Sequence, residues 1–279
     1  IQMAAAENLW HHDPTAALDS GDSTTLLRTL NMIVKQWMGT ADQAAGLKVF
    51  LRKIVYMCLQ KSQTVYQIGP ASGDDNATLT YYSTTTDAAE AASQTEISVT
   101  STASMANNDK IGLLLDSGTV HWTTVSSFVA NDTVTIATGL DVAAAVGRYV
   151  WWFTSRAQRF PLLEAAVLRN KNLNDTELVV YTDVREYEIG VADKYADGQP
   201  TAILIEPLRI ATRVTLNSQP TDVTSQILMT VLYPSEDYDA TTDDIAFPQE
   251  WLAALSWELA FRLSPSAGRW TKEMEANRQ

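Results

Sequence analysis

A chain of 279 residues with 46% apolar content and a formal net charge of −13 is long enough to bury a core and is expected to divide into about two domains. The 20 Lys and Arg against 33 Asp and Glu argue against tight nucleic-acid binding, which neutralises phosphates with cations. No stretch reaches the roughly 18 apolar residues of a membrane span, and the first twenty residues lack the basic start and apolar centre of a secretory signal.

The acid is unevenly placed. Residues 1–61 carry 6 basic and 5 acidic groups, residues 62–155 carry 2 and 9, and residues 156–279 carry 12 and 19, so the excess lies beyond the first helix. A solvated acidic surface is the plain reading, and a surface that repels DNA sliding past it is the sharper one.

In chain order, Asp22 or Ser23 is expected to cap a helix whose Leu26, Leu30, Ile33 and Trp37 share one face and which ends near Gly39. Two strands, Val55–Leu59 and Val65–Ile68, follow around the polar turn Lys61-Ser62-Gln63 and read as a hairpin. The lone Cys58 reads as a buried strand thiol, fitting a chain made in a reducing cytoplasm. Residues 71–94 are rich in Ala, Ser, Thr, Asp and Asn and read as a long loop or the entrance to an insert. Five short β runs then fall at residues 97–99, 111–115, 120–125, 134–136 and 149–153, separated by Asn107-Asn108-Asp109, Asp116-Ser117-Gly118 and Asn131-Asp132. They suggest a small antiparallel barrel or sandwich.

Further strands are expected at residues 177–181, 201–205, 213–216 and 227–232, with a short helix over 183–189. After the acid-rich loop, Phe247-Pro248-Gln249-Glu250-Trp251 opens a helix, because Pro suits a first turn and Glu250 favours the positive end of the dipole. Trp251, Leu255 and Leu259 lie along one stripe, which Leu252, Trp257 and Phe261 widen. The expected fold is α+β: a helical base formed by the N- and C-terminal helices with β hairpins, plus the inserted barrel or sandwich. The expected boundaries are 1–94, 95–154 and 155–279. Leu26, Leu30, Ile33, Trp37, Trp251, Leu255 and Trp257 form the expected core of the base, the first helix packing on the Trp251 helix.

Chemistry-bearing motifs are few. Leu113-Leu114-Leu115-Asp116-Ser117-Gly118-Thr119 has the form of an aspartic-protease signature. That chemistry needs two carboxylates sharing one proton, and no second Asp-Ser-Gly or Asp-Thr-Gly occurs. A hairpin turn is the plain reading of the same residues. His11, His12 and His121 do not read as a metal set, since ligands adjacent in sequence seldom face one ion. Phosphate-cradling, dinucleotide, serine-elbow and zinc-protease motifs do not occur. The eight tryptophans read as core groups because each buries a large area. No catalytic residue, cofactor or metal is expected.

Taken together, Leu27-Arg28-Thr29-Leu30-Asn31 with Trp37, Leu59-Gln60-Lys61-Ser62-Gln63 with Tyr66-Gln67-Ile68-Gly69, and Gly112 to Val125 form an ordered series. It continues with Gln158-Arg159-Phe160-Pro161, Gly198-Gln199-Pro200, Asp237-Tyr238-Asp239, Phe247-Pro248-Gln249-Glu250-Trp251 and Leu263-Ser264-Pro265. In order and spacing it resembles the head-to-tail connector, or adaptor, proteins of short-tailed bacteriophages, of the tail accessory factor type that stabilises packaged DNA.

That resemblance implies a non-enzymatic virion protein: a homo-oligomeric, dodecameric ring beneath the portal protein, joined below to a tail hub or nozzle and to tail fibres. The ring would retain packaged DNA and conduct it during ejection without gripping it. The protein would be made in the host bacterial cytoplasm and reside in the virion. Glu236, Asp237, Asp239, Asp243 and Asp244 are then candidates for an acidic channel or loop surface, and Arg269, Trp270 and Met274 for a portal-docking segment. A tail hub or nozzle subunit is the alternative reading, and a single-motif protease-like virion enzyme a weaker one.

Overall fold

The computed structural model describes residues 20–39, 51–69, 76–194, 196–233 and 249–263. The chain forms two compact units, one of residues 1–51 with 234–279 and the other of residues 52–233. Fifteen strands and three helices account for the regular structure among the described residues.

This arrangement overturns the expected α+β fold on a helical base, because the protein is mostly β. Two large apolar clusters lie between and within sheets of the second unit. The terminal helices α1 (Ser20–Gly39) and α3 (Gln249–Leu263) contact each other in the first unit. Their apolar stripes suggested a base for the whole chain; among the described residues they bring the two helices together.

In the second unit, a five-stranded sheet runs β11 (Asp175–Glu177), β10 (Leu162–Arg169), β15 (Gln226–Tyr233), β1 (Leu51–Cys58), β3 (Ala77–Thr78). A four-stranded sheet runs β12 (Val179–Tyr181), β13 (Ala202–Pro207), β14 (Thr212–Leu216), β2 (Val65–Ile68). Their inner faces share one core: Val55, Met57, Ala166, Ile227 and Met229 come from the first sheet, and Tyr66, Ile68, Ile203, Ile205 and Val214 from the second. Between β12 and β13 the chain forms α2 (Val184–Gly190), whose first turn is capped by Asp183 Oδ1 accepting the N–H groups of Arg185 and Glu186.

The expected hairpin of β1 and β2 does not form, since β1 lies between β15 and β3 while β2 pairs with β14. The intervening turn is claimed by other partners. Ser62, at φ 62°, donates its N–H to the Pro220 carbonyl at 3.1 Å. The Tyr66 hydroxyl accepts the Gln60 N–H at 2.9 Å. Splaying the two strands lets each bury one face in the shared core, which a flat two-stranded hairpin cannot do.

The third sheet runs β4 (Tyr82–Thr85), β9 (Tyr149–Phe153), β6 (Lys110–Leu114), β7 (Val120–Phe128), β8 (Thr133–Ile136), β5 (Glu96–Ser98). Its two edges meet: Thr86 bridges Val99, and Thr100 donates its N–H to the Thr85 carbonyl at 3.0 Å. Closure of this kind satisfies edge groups that would otherwise invite pairing with another chain. Ile97, Ile111, Leu113, Val125, Val134, Ile136, Val150 and Trp152 fill the interior, while Leu114, Val120 and Trp151 on the opposite face join the core of the two sheets above. Sheet and tie begin at residue 82, inside the stretch that reads as a long loop or the entrance to an insert.

Glycine at 112 is required by its register partner, because a Cβ there would meet the Trp122 ring at 2.7 Å. Asn108 (φ 72°) and Asn131 (φ 53°) occupy the left-handed region in two of the expected turns, a conformation Asn tolerates better than most residues.

Candidate functional site

The helix pair carries the residues expected to form the base. Leu26, Leu30 and Ile33 of α1 and Leu255 and Leu259 of α3 are buried. Trp37 meets Trp251 edge-on, with ring centroids 6.4 Å apart at 66°. The Arg262 guanidinium donates to the Gln36 side chain and, at 2.9 Å, to Glu258 Oε1. Trp257 departs from expectation: it is 42% exposed, and Trp251 is 37% exposed. On a helix apolar around most of its circumference, one interface cannot cover every side, so these indoles and the 57% exposed Met32 remain open to solvent.

Glu236, Asp237, Asp239, Asp243 and Asp244, together with Arg269, Trp270 and Met274, lie outside the described residues, as do His11 and His12.

The Asp116-Ser117-Gly118-Thr119 segment is the turn between β6 and β7. Gly118 takes φ 81° and donates its N–H to the Leu115 carbonyl at 3.0 Å, while the Leu115 N–H reaches the Thr119 carbonyl at 2.9 Å. Asp116 Oδ1 accepts the Ala145 N–H at 3.0 Å and the Arg148 Nε–H at 2.9 Å. The Ala145 N–H and then Arg148 hold its carboxyl below the usual range. A fixed, ionised carboxylate suits fastening a loop, whereas the protease dyad needs one that shares a proton.

His121 faces the barrel interior beside Leu113. Its Nδ1 lies 2.9 Å from Asp141 Oδ2, and its Nε2 lies 3.3 Å from both the carbonyl and the hydroxyl of Thr138. The Thr138 hydroxyl donates to Thr123 at 2.7 Å. These contacts fasten the segment following β8 to the barrel wall. No group of three or more His, Cys, Asp or Glu that could hold a metal occurs among the described residues.

Glu90 is 3% exposed and accepts the Ser98 N–H at 2.7 Å. Burial pushes its carboxyl up, the Ser98 bond opposes that, and the charge of Glu96 adds to it. The folded state therefore holds this proton more tightly than the unfolded chain, so the group's contribution is largest at low pH and is lost as pH rises through its folded pKa. Glu90→Gln keeps an acceptor for Ser98 without the charge. Its urea midpoint, relative to the parent, is expected to climb between about pH 4 and about pH 7; a constant difference would mean the carboxyl is not raised.

Cys58 is buried with its thiol pushed up to about 12 by desolvation, and Gln226 Nε2–H donates to its Sγ at 3.3 Å. A thiol so protonated is inert.

A polar groove of about 420 Å³ opens where the chain leaves the barrel, lined by Lys110, Thr154, Ser155, Arg156 and Gln158. Its walls are pinned by the backbone. The Ser155 carbonyl accepts the Thr78 hydroxyl at 2.8 Å, the Gln158 carbonyl accepts the Tyr233 hydroxyl at 2.8 Å, and the Ala157 N–H donates to the Ala77 carbonyl at 2.9 Å. Sequence reasoning missed this groove, because Lys110 and Arg156 come together only through the pairing of β6 with β9.

Compared with family models, curated proteins and solved structures, the chain finds no match.

Proposed function

We propose that this protein is a passive ring subunit of the head-to-tail connector type, joining a portal to the tail of a short-tailed phage and conducting DNA without bond-making chemistry. The observation that supports the reading most is that large apolar side chains of the two helices stay open, with Met32 57%, Trp251 37% and Trp257 42% exposed. A ring closes through heterologous contacts in which one face of each subunit meets a different face of the next. Partly exposed tryptophans are the residues that anchor such contacts. The ordered motif series and the net charge of −13 agree with a subunit that lines a DNA passage without adhering to it.

The test uses portal rings and a gradient. The parent chain is expected to co-sediment with purified portal rings. Trp257→Asp, a change at an exposed position that the fold should accept, is expected to lose about tenfold or more in association. Absence of parent chain from the portal fractions, or equal binding by the variant, would remove the support these side chains give.

A further inference from the structure

We infer that the tip of the β10–β11 hairpin, residues 170–174, is an arm that docks on the acidic barrel of a second copy of this chain. An exposed leucine alone carries little weight. Leu173 at this tip is 74% exposed and also takes φ 62°, a backbone region costly for a bulky residue. Its neighbours Asn172 and Asn174 are of the type that tolerates that region, so the turn itself does not call for leucine.

The tip is stiff. Asn170 Oδ1 accepts the N–H groups of Asn172 at 2.9 Å and Asn174 at 3.1 Å, and Leu173 donates its N–H to the Asn170 carbonyl at 2.9 Å. At the neck, Arg169 Nε and Nη2 donate to the two carboxylate oxygens of Asp175, each at 2.7 Å. A partner therefore meets an ordered tip, and little entropy is lost on docking.

Charge selects the partner. Residues 156–174 carry four basic groups and one acidic, whereas residues 82–153 carry two and seven. Lys171 is exposed on the tip. On the barrel, the exposed Asp87, Glu96 and Asp132 gather around Ser98. Asp87 donates its N–H to the Ser98 carbonyl at 3.0 Å, Glu96 shares β5 with Ser98, and Asp132 precedes Thr133, the register partner of Ser98. Val129, 57% exposed, accepts the Asp132 N–H at its carbonyl in the adjoining turn. A basic tip with one apolar side chain thus complements an acidic surface with one of its own.

Two different surfaces meeting in this way make a heterologous contact, which can repeat around a ring. A five-residue tip covers far less than the roughly 800 Å² per partner of a stable complex. The contact is therefore weak between free copies and gains strength when another partner lines them up. A second copy is the partner because the connector reading calls for a ring; the contact itself is measured without portal, so the tip and that reading fail separately.

Asn172→Cys provides a thiol at the tip that a benzophenone maleimide labels, since Cys58 is buried. Equal amounts of ¹⁴N and ¹⁵N full-length chains so labelled are irradiated together at on the order of 1 mM. Only contacts between copies give mixed-isotope cross-linked peptides in the mass spectrometer. These are expected to map to residues 82–153 and to fall about tenfold or more when Leu173→Gly or Lys171→Glu is added. Leu173→Gly removes the side chain and relieves the left-handed backbone, so its thermal midpoint should equal or exceed the parent's. Mixed-isotope cross-links that are absent or lie outside the barrel, equal yields in both variants, or a Leu173→Gly chain less stable than the parent overturn the proposal.

Discussion

Trp152→Ala is expected to cost the barrel-containing unit about 3–5 kcal/mol, the range for removing a buried Trp or Phe side chain. For a unit of this size that lowers the thermal midpoint by about 6–20 °C. Trp152 is 2% exposed and sits among Ile97, Ile111, Val134 and Val150 in the barrel interior. Tyr82 stacks on it at 5.7 Å and 24°, and in register Trp152 opposes Tyr82 of β4 and Ile111 of β6. A cavity there would face strands tied into a closed sheet, which limits how far the walls can collapse. Its Nε1–H is buried without a hydrogen-bond partner, so Trp152→Phe discards an unpaired donor and keeps most of the volume. The phenylalanine variant should therefore lose much less than the alanine one. Thermal and urea unfolding measure both, and a loss under about 1 kcal/mol for Trp152→Ala would mean that the position is not enclosed.

The second large effect is expected at Thr212, which is fully buried. Its hydroxyl accepts the Phe160 N–H at 3.1 Å and donates to the Phe160 carbonyl at 2.6 Å. One hydroxyl thereby joins the segment after the barrel to β14, where Thr212 pairs with Ile68 and Pro207. Valine has the same shape without the oxygen, so Thr212→Val removes both bonds from buried backbone groups and should cost about 1–3 kcal/mol. Thr212→Ser keeps the hydroxyl and sheds one methyl, worth about 0.8 kcal/mol. The order valine worse than serine separates the hydrogen bonds from simple packing. Urea unfolding gives the energies, and faster amide exchange at Phe160 in Thr212→Val would locate the loss; serine worse than valine would contradict the assignment.

Local signals in the sequence were strongest where one residue type decides a conformation. The turns at Asn108, Asn131 and Gly118 needed left-handed backbone, and the residues that allow it stood there. The strands of β6 to β9 alternated or ran apolar between such turns and emerge within a few residues of expectation. Asp183 at the start of α2 is a cap legible from its side chain alone.

Partnership was not legible. Strand β10, where no element was expected, runs Leu162-Leu163-Glu164-Ala165-Ala166-Val167-Leu168-Arg169; it is composed largely of good helix formers, and tertiary pairing with β15 across seven residues overrides that preference. The separation of β1 from β2 depended on Pro220 and Val120 arriving from distant sequence, with the Gln60 carboxamide taking both backbone groups of Val120 at 2.9 and 2.7 Å. The helical-base reading failed for a related reason. Apolar periodicity shows that a helix has a face to bury, and it does not show whether that face meets one partner helix or the core of a whole domain. Trp257 illustrates the limit, lying at helical core spacing yet 42% exposed. The polar groove beside the barrel was hidden because Lys110 and Arg156 are separated in sequence and meet through β6 and β9.

The central claim is that the chain works by shape, subunit contact and charge as a collar on a portal. Native mass spectrometry or light scattering of the purified protein, alone and mixed with a portal ring, tests it most directly. The account predicts the mass of a single subunit in isolation and, on the portal, a complex heavier by a whole ring of subunits. No mass gain on the portal, or a stable complex with duplex DNA at physiological salt in its place, would contradict it.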